Sequence, residues 1–193
     1  MRFGMNLLMW TDTLSESMLP LLEELKEIGF DLVELPCFDI DDVNNYARWG
    51  KRLDELGLAR TGTAIRGADD NPISADPAIR RRGIDNNKRN LDCCAAAGCT
   101  VMDGPFHSGL GVFSGKGPTE DEWKRGVESM REVAEHAEKV GVTLGIEYLN
   151  RFECYFLNTA ADGARFCRDV DHPRFKMMYD TFHAHIEEKS IPE

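Results

Sequence analysis

Two acids in this chain stand at the ends of apolar runs, and each is followed by a polar segment. The first run, Gly141-Val-Thr-Leu-Gly-Ile-Glu-Tyr-Leu-Asn-Arg-Phe-Glu153, reaches Glu147 after a short apolar stretch. The second, Phe175-Lys-Met-Met-Tyr-Asp180, reaches Asp180 and continues into Thr-Phe-His183. Strands that end in acids, each followed by a loop, build the site at the C-terminal face of a parallel α/β barrel. An acid in that place can instead cap the next helix. Here both loops run on for several residues before a helical pattern resumes, which favours the site over the cap.

The composition narrows what such acids serve. Asp and Glu outnumber Lys and Arg by 34 to 23, a formal net charge of −11. That balance opposes binding to phosphate backbones, which needs clustered cations. It suits a small neutral ligand, or a cation held by carboxylates. Of the six cysteines (Cys37, Cys93, Cys94, Cys99, Cys154 and Cys167), none forms a C-x-x-C pair, so a structural zinc site has no support. Small buried thiols are the ordinary alternative. No apolar run approaches membrane-spanning length, and Met1 to Asn6 lacks the longer apolar run of a signal peptide. A cytoplasmic protein with reduced thiols is expected.

The elements that must position the acids follow from periodicity and punctuation. Phe3 to Trp10 reads as a buried strand. Ser17 can cap a helix with Pro20 in its first turn and Leu21, Leu22, Leu25 and Ile28 as an apolar stripe, closed by Gly29. Asp31 to Leu35 is the second strand, stopped by Pro36. Asp41 or Asp42 opens a helix with Tyr46, Trp49, Leu53 and Leu56 inward, ending at Gly57. Leu58 to Ala64 is the third strand. Asp76-Pro77 opens a long helix ending at Gly98; its five basic residues between Arg80 and Arg89 suit a solvated outer face better than a phosphate patch.

Thr100 to Asp103 is the fourth strand. The glycine-rich loop from Gly104 to Pro118 follows, carrying Phe106, His107 and Phe113. Long loops in compact domains tend to be functional, so these three are expected at the pocket mouth, shaping ligand selectivity; a loop packed on the rim is the competing reading. Thr119-x-x-Glu122 is a capping box for a helix with Trp123, Val127, Met130, Val133, Ala134 and Ala137 inward. After the fifth strand, Asn158 or Thr159 opens a helix ending near Val170, and the sixth strand closes on Asp180.

Six strands, starting near residues 3, 31, 58, 100, 142 and 175, thus alternate with five clear helices. Strict alternation implies a parallel sheet in one domain with right-handed crossovers. A dinucleotide-type doubly wound sheet needs a glycine-rich turn after strand one, and the turn here is Trp10-Thr-Asp-Thr-Leu-Ser15. The fold expected is therefore α/β: a (β/α)8-type barrel, represented by about its first six βα units.

At Glu147-Tyr-Leu-Asn-Arg-Phe-Glu153 and Asp180-Thr-Phe-His-Ala-His-Ile-Glu-Glu188 the chain resembles the sugar epimerase/isomerase family of TIM barrels. Within that family it is most similar to the D-tagatose and D-psicose (allulose) 3-epimerase group, and the similarity continues through Ala75-Asp-Pro-Ala-Ile-Arg-Arg-Arg-Gly83. The resemblance implies a ketose 3-epimerase using a divalent metal: manganese first, with cobalt and magnesium as the other choices. Glu147 matches the catalytic glutamate that also binds the metal, and Asp180 matches the second ligand. Glu153 and His183 match residues that hold the substrate, and His185 falls where the family is variable. The chemistry agrees: abstracting a proton beside a carbonyl needs Lewis-acid stabilisation of the oxygen and a carboxylate to accept the proton. The partners expected are a small ketose and further copies of the chain in a homo-oligomer, with neither nucleic acid nor membrane.

That family completes its site with a histidine on strand seven and a glutamate on strand eight, beyond the segment ending at Ser190-Ile-Pro-Glu193. A complete barrel typically takes about 250 residues. Three outcomes follow: an open six-stranded sheet, closure through a partner chain, or a polypeptide that continues, and the last is the expectation. Related readings on the same barrel are a hydroxypyruvate isomerase or inosose dehydratase activity, a nuclease, which the acidity opposes, and a non-catalytic sugar- or partner-binding remnant.

Overall fold

Five helices begin on side-chain caps. The computed structural model describes residues 1–190. Asp42 caps Val43–Leu56 (α2), and Asp76 caps Pro77–Ala97 (α3) with Pro77 in its first turn. Reciprocal capping boxes, Thr119 with Glu122 and Thr159 with Asp162, open Glu120–Val140 (α4) and Ala160–Val170 (α5). Asp180 opens Thr181–Glu187 (α6) by accepting from the backbone N–H groups of Phe182 and His183. Each cap satisfies amide donors that the first helical turn leaves free. The first helix, Leu19–Ile28 (α1), has no side-chain cap. Ser17, expected to be that cap, lies in a 3-10 turn over Glu16–Met18 and pairs its hydroxyl with Ser15. Ile28, expected in the apolar stripe, is 65% exposed, so the buried stripe is Leu22 and Leu25.

The strands are Gly4–Asn6 (β1), Leu32–Pro36 (β2), Ala59–Thr63 (β3), Val101–Gly104 (β4), Thr143–Ile146 (β5) and Phe175–Met177 (β6). All pair in parallel, in the spatial order β1-β2-β3-β4-β5-β6. A doubly wound sheet reverses its order at a switch point. This order never reverses, which is how a barrel wall grows. β3 loses one residue at each end of the expected Leu58–Ala64, and β1 and β6 fall shorter still. β1 stops at Asn6, not Trp10, because the Asn6 side chain accepts from Leu8 N at 2.8 Å and Trp10 and Thr11 fold back onto the Leu7 carbonyl. β6 stops at Met177, and Asp180 turns directly into α6.

Alternation along the strands sorts side chains between two faces. Val33, Leu35, Met102, Leu144 and Ile146 are fully buried in the main apolar core. Glu34, Asp103 and Gly145 lie between them in sequence and so belong to the opposite, inner face. On the outer side a chain of rings ties α4, α5 and β6 together, with Trp123–Phe166 centroids 5.2 Å apart and Phe166–Phe175 centroids 5.8 Å apart. The basic run of α3 is a solvated helix face: Arg81 and Lys88 pair with Glu132 of α4, and Arg89 with Asp41. Among the described residues, no helix is long and apolar enough to cross a membrane.

Candidate active site

The strands' C-terminal ends surround a cavity of about 240 Å³ lined by Asn6, Glu34, Asp103, Glu147, Glu153, Asp180 and His183, with Pro105, Leu110 and Met178 among the rest. A groove of similar size, about 270 Å³, lies along α2 between Trp49, Arg48 and Arg52, but its arginines are engaged in ordinary surface ion pairs with Asp42 and Glu55. The strand-end cavity is where reactive groups meet.

Glu147 follows β5, and Asp180 lies three residues beyond β6, so the two acids come from neighbouring strands. One ligand atom each from Glu147, Asp180 and His183 lie within 4.8 Å of one another. Burial raises the Glu147 carboxyl to about 8, and the adjacent Asp180 carboxyl adds to the shift. Two carboxylates so placed resist ionising together unless a cation lies between them. Across the cavity, burial and the neighbouring Glu34 carboxyl push Asp103 well above the usual carboxylate range. Glu34 is held by Asn6 Nδ2 at 2.7 Å and Thr61 Oγ1 at 3.0 Å. Strand-end position alone does not mark Glu34 and Asp103; the alternation of polar with apolar positions in β2 and β4 is the signal that points to them.

Asp180 serves two purposes. Its Oδ1 accepts from Phe182 N at 2.6 Å, capping α6, while His183 Nε2 lies 3.9 Å from Oδ2. The cap disfavoured at the sequence level is therefore present: β6 is short, and the helical pattern resumes at Thr181 itself.

His183 is 6% exposed and points Nε2 at Glu147 Oε1, 3.6 Å away. Its other nitrogen, Nδ1, accepts from the backbone N–H of Asn150 at 3.1 Å. A backbone amide can only donate, so in the neutral ring the proton sits on Nε2, facing the acids. That tautomer makes His183 a donor in the cavity, so the carboxylate oxygens of Glu147 and Asp180 are the atoms that could hold a cation. A pair of carboxylates suits a hard divalent ion such as Mn2+ or Mg2+.

Asn150 also holds Glu153, donating from Nδ2 to Glu153 Oε1 at 2.7 Å. Arg151 grips Glu187 with its backbone N–H at 2.7 Å and its guanidinium at 2.8 Å, and Glu188 accepts from Ala160 N at 2.7 Å. The two sequence runs that carry the resemblance are thus one connected unit. Asn150, Arg151, Glu187 and Glu188 acquire roles that sequence reading left unassigned.

The long loop contributes differently from expectation. Phe106 and His107 are fully buried beneath the site, and neither lines the cavity. Phe113 is 49% exposed and packs near Tyr155, with centroids 6.3 Å apart. Pro105 and Leu110 are the loop residues that reach the wall. The reason is apolar burial and backbone pairing: the Phe106 carbonyl accepts from Asn87 at 3.1 Å, and His107 Nε2–H donates to the Glu147 carbonyl at 2.8 Å. Burial drives the His107 pKa down to about 4, so this ring is neutral.

Six parallel strands in unreversed order, with acids converging at their C-terminal ends, form a barrel wall whose site could hold a cation. The chain matches the family described as "Xylose isomerase-like TIM barrel" over residues 22–192, and it belongs to that family. It is 34% identical over 191 residues to the L-ribulose 3-epimerase of Mesorhizobium japonicum, covering 98% of this chain and 64% of that protein. With the D-psicose 3-epimerase of Agrobacterium fabrum it shares 32% identity, covering 99% and 67%. A solved structure of D-psicose 3-epimerase in the presence of D-fructose superimposes with a TM-score of 0.89 at 31% identity, over 98% of this chain and 67% of that one. The chain therefore spans about two thirds of the length of the curated relatives it matches.

Proposed function

We propose that this chain carries the proton-transfer wall of a divalent-metal-dependent ketose 3-epimerase acting on a free keto-sugar. The observation that supports it most is the convergence of Glu147, Asp180 and His183 in one strand-end cavity, in a chain similar to L-ribulose and D-psicose 3-epimerases. Glu147 and Asp180 hold the cation, with Mn2+ the first choice. When bound, the cation supplies Lewis-acid stabilisation to negative charge developing on a carbonyl oxygen.

The rest is the work of the chain's own groups. Glu147 moves the proton at the carbon beside the carbonyl, a step in which a placed carboxylate contributes on the order of a hundredfold or more. His183 donates from Nε2 to a substrate oxygen. Glu153, one oxygen of which is held by Asn150, accepts from a substrate hydroxyl. Inversion needs a second acid on the opposite face, the part that the resemblance gives to a strand-eight glutamate.

The test is the exchange of the C3 hydrogen of D-fructose or D-tagatose for solvent deuterium, followed by NMR on the full chain with Mn2+. Exchange reports the Glu147 half-reaction even where inversion is slow. Loss of exchange in Glu147→Gln, with the fold retained, is the expected result, because an amide keeps the shape but takes no proton. A Mn2+-loaded protein that exchanges no ketose would overturn the reading.

A further inference from the structure

The Glu147 carbonyl occupies a place where the sheet cannot supply its partner. In a parallel ladder, a residue whose N–H bonds to one neighbouring strand sends its C=O to that same strand, two residues further on. Glu147 N donates to the Gly104 carbonyl at 3.0 Å, so the matching donor would be the N–H of Phe106. β4 has ended by then. Gly104 has a φ of 115°, open to glycine, and a Cβ there would lie 2.5 Å from the Ala64 carbonyl oxygen. Pro105 then has no N–H to offer.

An imidazole fills the gap. His107 Nε2 lies 2.8 Å from the Glu147 carbonyl oxygen, and Ser108 Oγ lies 3.0 Å from His107 Nδ1. A carbonyl only accepts, so Nε2 carries the proton and Ser108 donates to Nδ1. Ser108 Oγ is also 3.5 Å from Cys154 Sγ, which accepts from Phe156 N at 3.2 Å. The buried ring thus links the loop after β4 to the turn that follows Glu153. It does not line the cavity, and its hydrogen bond to Glu147 is to the carbonyl oxygen.

We infer that His107 is a positioning residue for Glu147: its Nε2–H substitutes for the missing ladder bond, fixes the Glu147 backbone, and so aims the carboxylate at the cation and the reacting carbon. The inference rests on the reading of Glu147 as cation ligand and base. Groups that orient a metal ligand from behind it typically change affinity or activity by roughly tenfold to a hundredfold when removed.

The test compares His107→Phe, which keeps a buried ring without the donor, with His107→Gln, whose amide nitrogen can stand where Nε2 stood. Mn2+ affinity of the full chain is measured by titration calorimetry, and kcat and KM for a ketose are measured in parallel. His107→Phe should lose roughly tenfold in Mn2+ affinity and lower kcat more than it raises KM, and His107→Gln should recover most of both. Equal losses in the two variants, or wild-type affinity in His107→Phe, would overturn the inference while leaving the epimerase reading intact. Failure of the wild-type chain to bind Mn2+ would sink both.

A measurement on the unmutated protein covers the case in which His107→Phe does not fold. The long-range nitrogen–proton NMR spectrum of the His107 ring should show the neutral form protonated at Nε2, and Ser108→Ala should alter the Nδ1 signal. A ring protonated at Nδ1, or one averaging between the two forms, refutes the assignment.

Discussion

Acid should destabilise this fold through one imidazole in particular. His107 is completely buried, and burial holds its pKa at about 4 against 6.5 for the free side chain. Between those values the unfolded chain binds a proton that the folded chain refuses, so the unfolded state gains as pH falls. The stability tied to this ring is complete above pH 6.5, shrinks below it, and is lost by about pH 4. At about 1.36 kcal/mol per unit, the gap between 6.5 and about 4 amounts to roughly 3 kcal/mol. Glu147 works the other way. Its folded pKa is raised to about 8 from 4.5, so its penalty grows as pH rises through that window and eases as pH falls. Comparison with His107→Gln, which does not titrate at this position, removes that opposing contribution. Urea unfolding followed by tryptophan fluorescence, at pH values from about 4 to about 7.5, gives the free energy of each protein. The wild-type advantage over His107→Gln should shrink by roughly 3 kcal/mol from the top of that range to the bottom. A difference that stays flat with pH would refute the reasoning.

Three further outcomes follow from the site. Asp180→Asn should keep the α6 cap and lose cation affinity, whereas Asp180→Ala should lose both, with about 1 kcal/mol of stability gone; calorimetric Mn2+ titration and urea unfolding separate the two effects. Arg151→Ala cuts the side-chain grip on Glu187 beside the Glu153 turn, so KM for the ketose should rise several-fold and the unfolding midpoint should fall, because the Glu187 carboxylate left behind is nearly buried; an unchanged KM would remove that turn from ligand binding. Leu110→Ala should shift the ratio of kcat/KM for two ketoses while Phe113→Ala leaves it alone, because Leu110 lines the cavity and Phe113 packs near Tyr155 outside it. The reverse result would return Phe113 to the pocket mouth.

The wall of the barrel is legible in the chain because its signals are local. Apolar runs, caps such as Asp76 and the Thr119–Glu122 box, and closing glycines each act within a few residues of themselves. Glu147 and Asp180 are legible too, since an acid at a strand end is a positional signal. What misleads is the competition between a local cap and a continuing strand. Asn6 turns its own backbone and ends β1 early, and Asp180 opens α6 where the run Phe175–Asp180 reads as one strand. The long loop misleads for another reason. Nothing within 104–118 reveals that His107 is needed under Glu147, because that need arises from a ladder bond lost on a different strand. Asn150 is hidden in the same way: its amide serves Glu153 nearby, but its backbone N–H serves His183, thirty-three residues later.

The short helix α6 shows how the site is held together. At seven residues it is below the length at which a helix is stable by itself in water. Its order comes from its ends. At the start, Asp180 Oδ1 ties down the first amides, and His183 in the same turn accepts from Asn150. At the end, Glu187 takes three hydrogen bonds from Arg151, and Glu188 takes one from the first residue of α5. Every one of these partners except the first belongs to the segment running from β5 into α5, which also carries Glu147 and Glu153. The helix and that segment therefore order each other, and neither acid wall of the cavity is set independently of the other. In this arrangement a substitution at exposed Arg151 loosens α6 and reaches the cavity through backbone position, which is why a change in KM is expected together with a loss of stability.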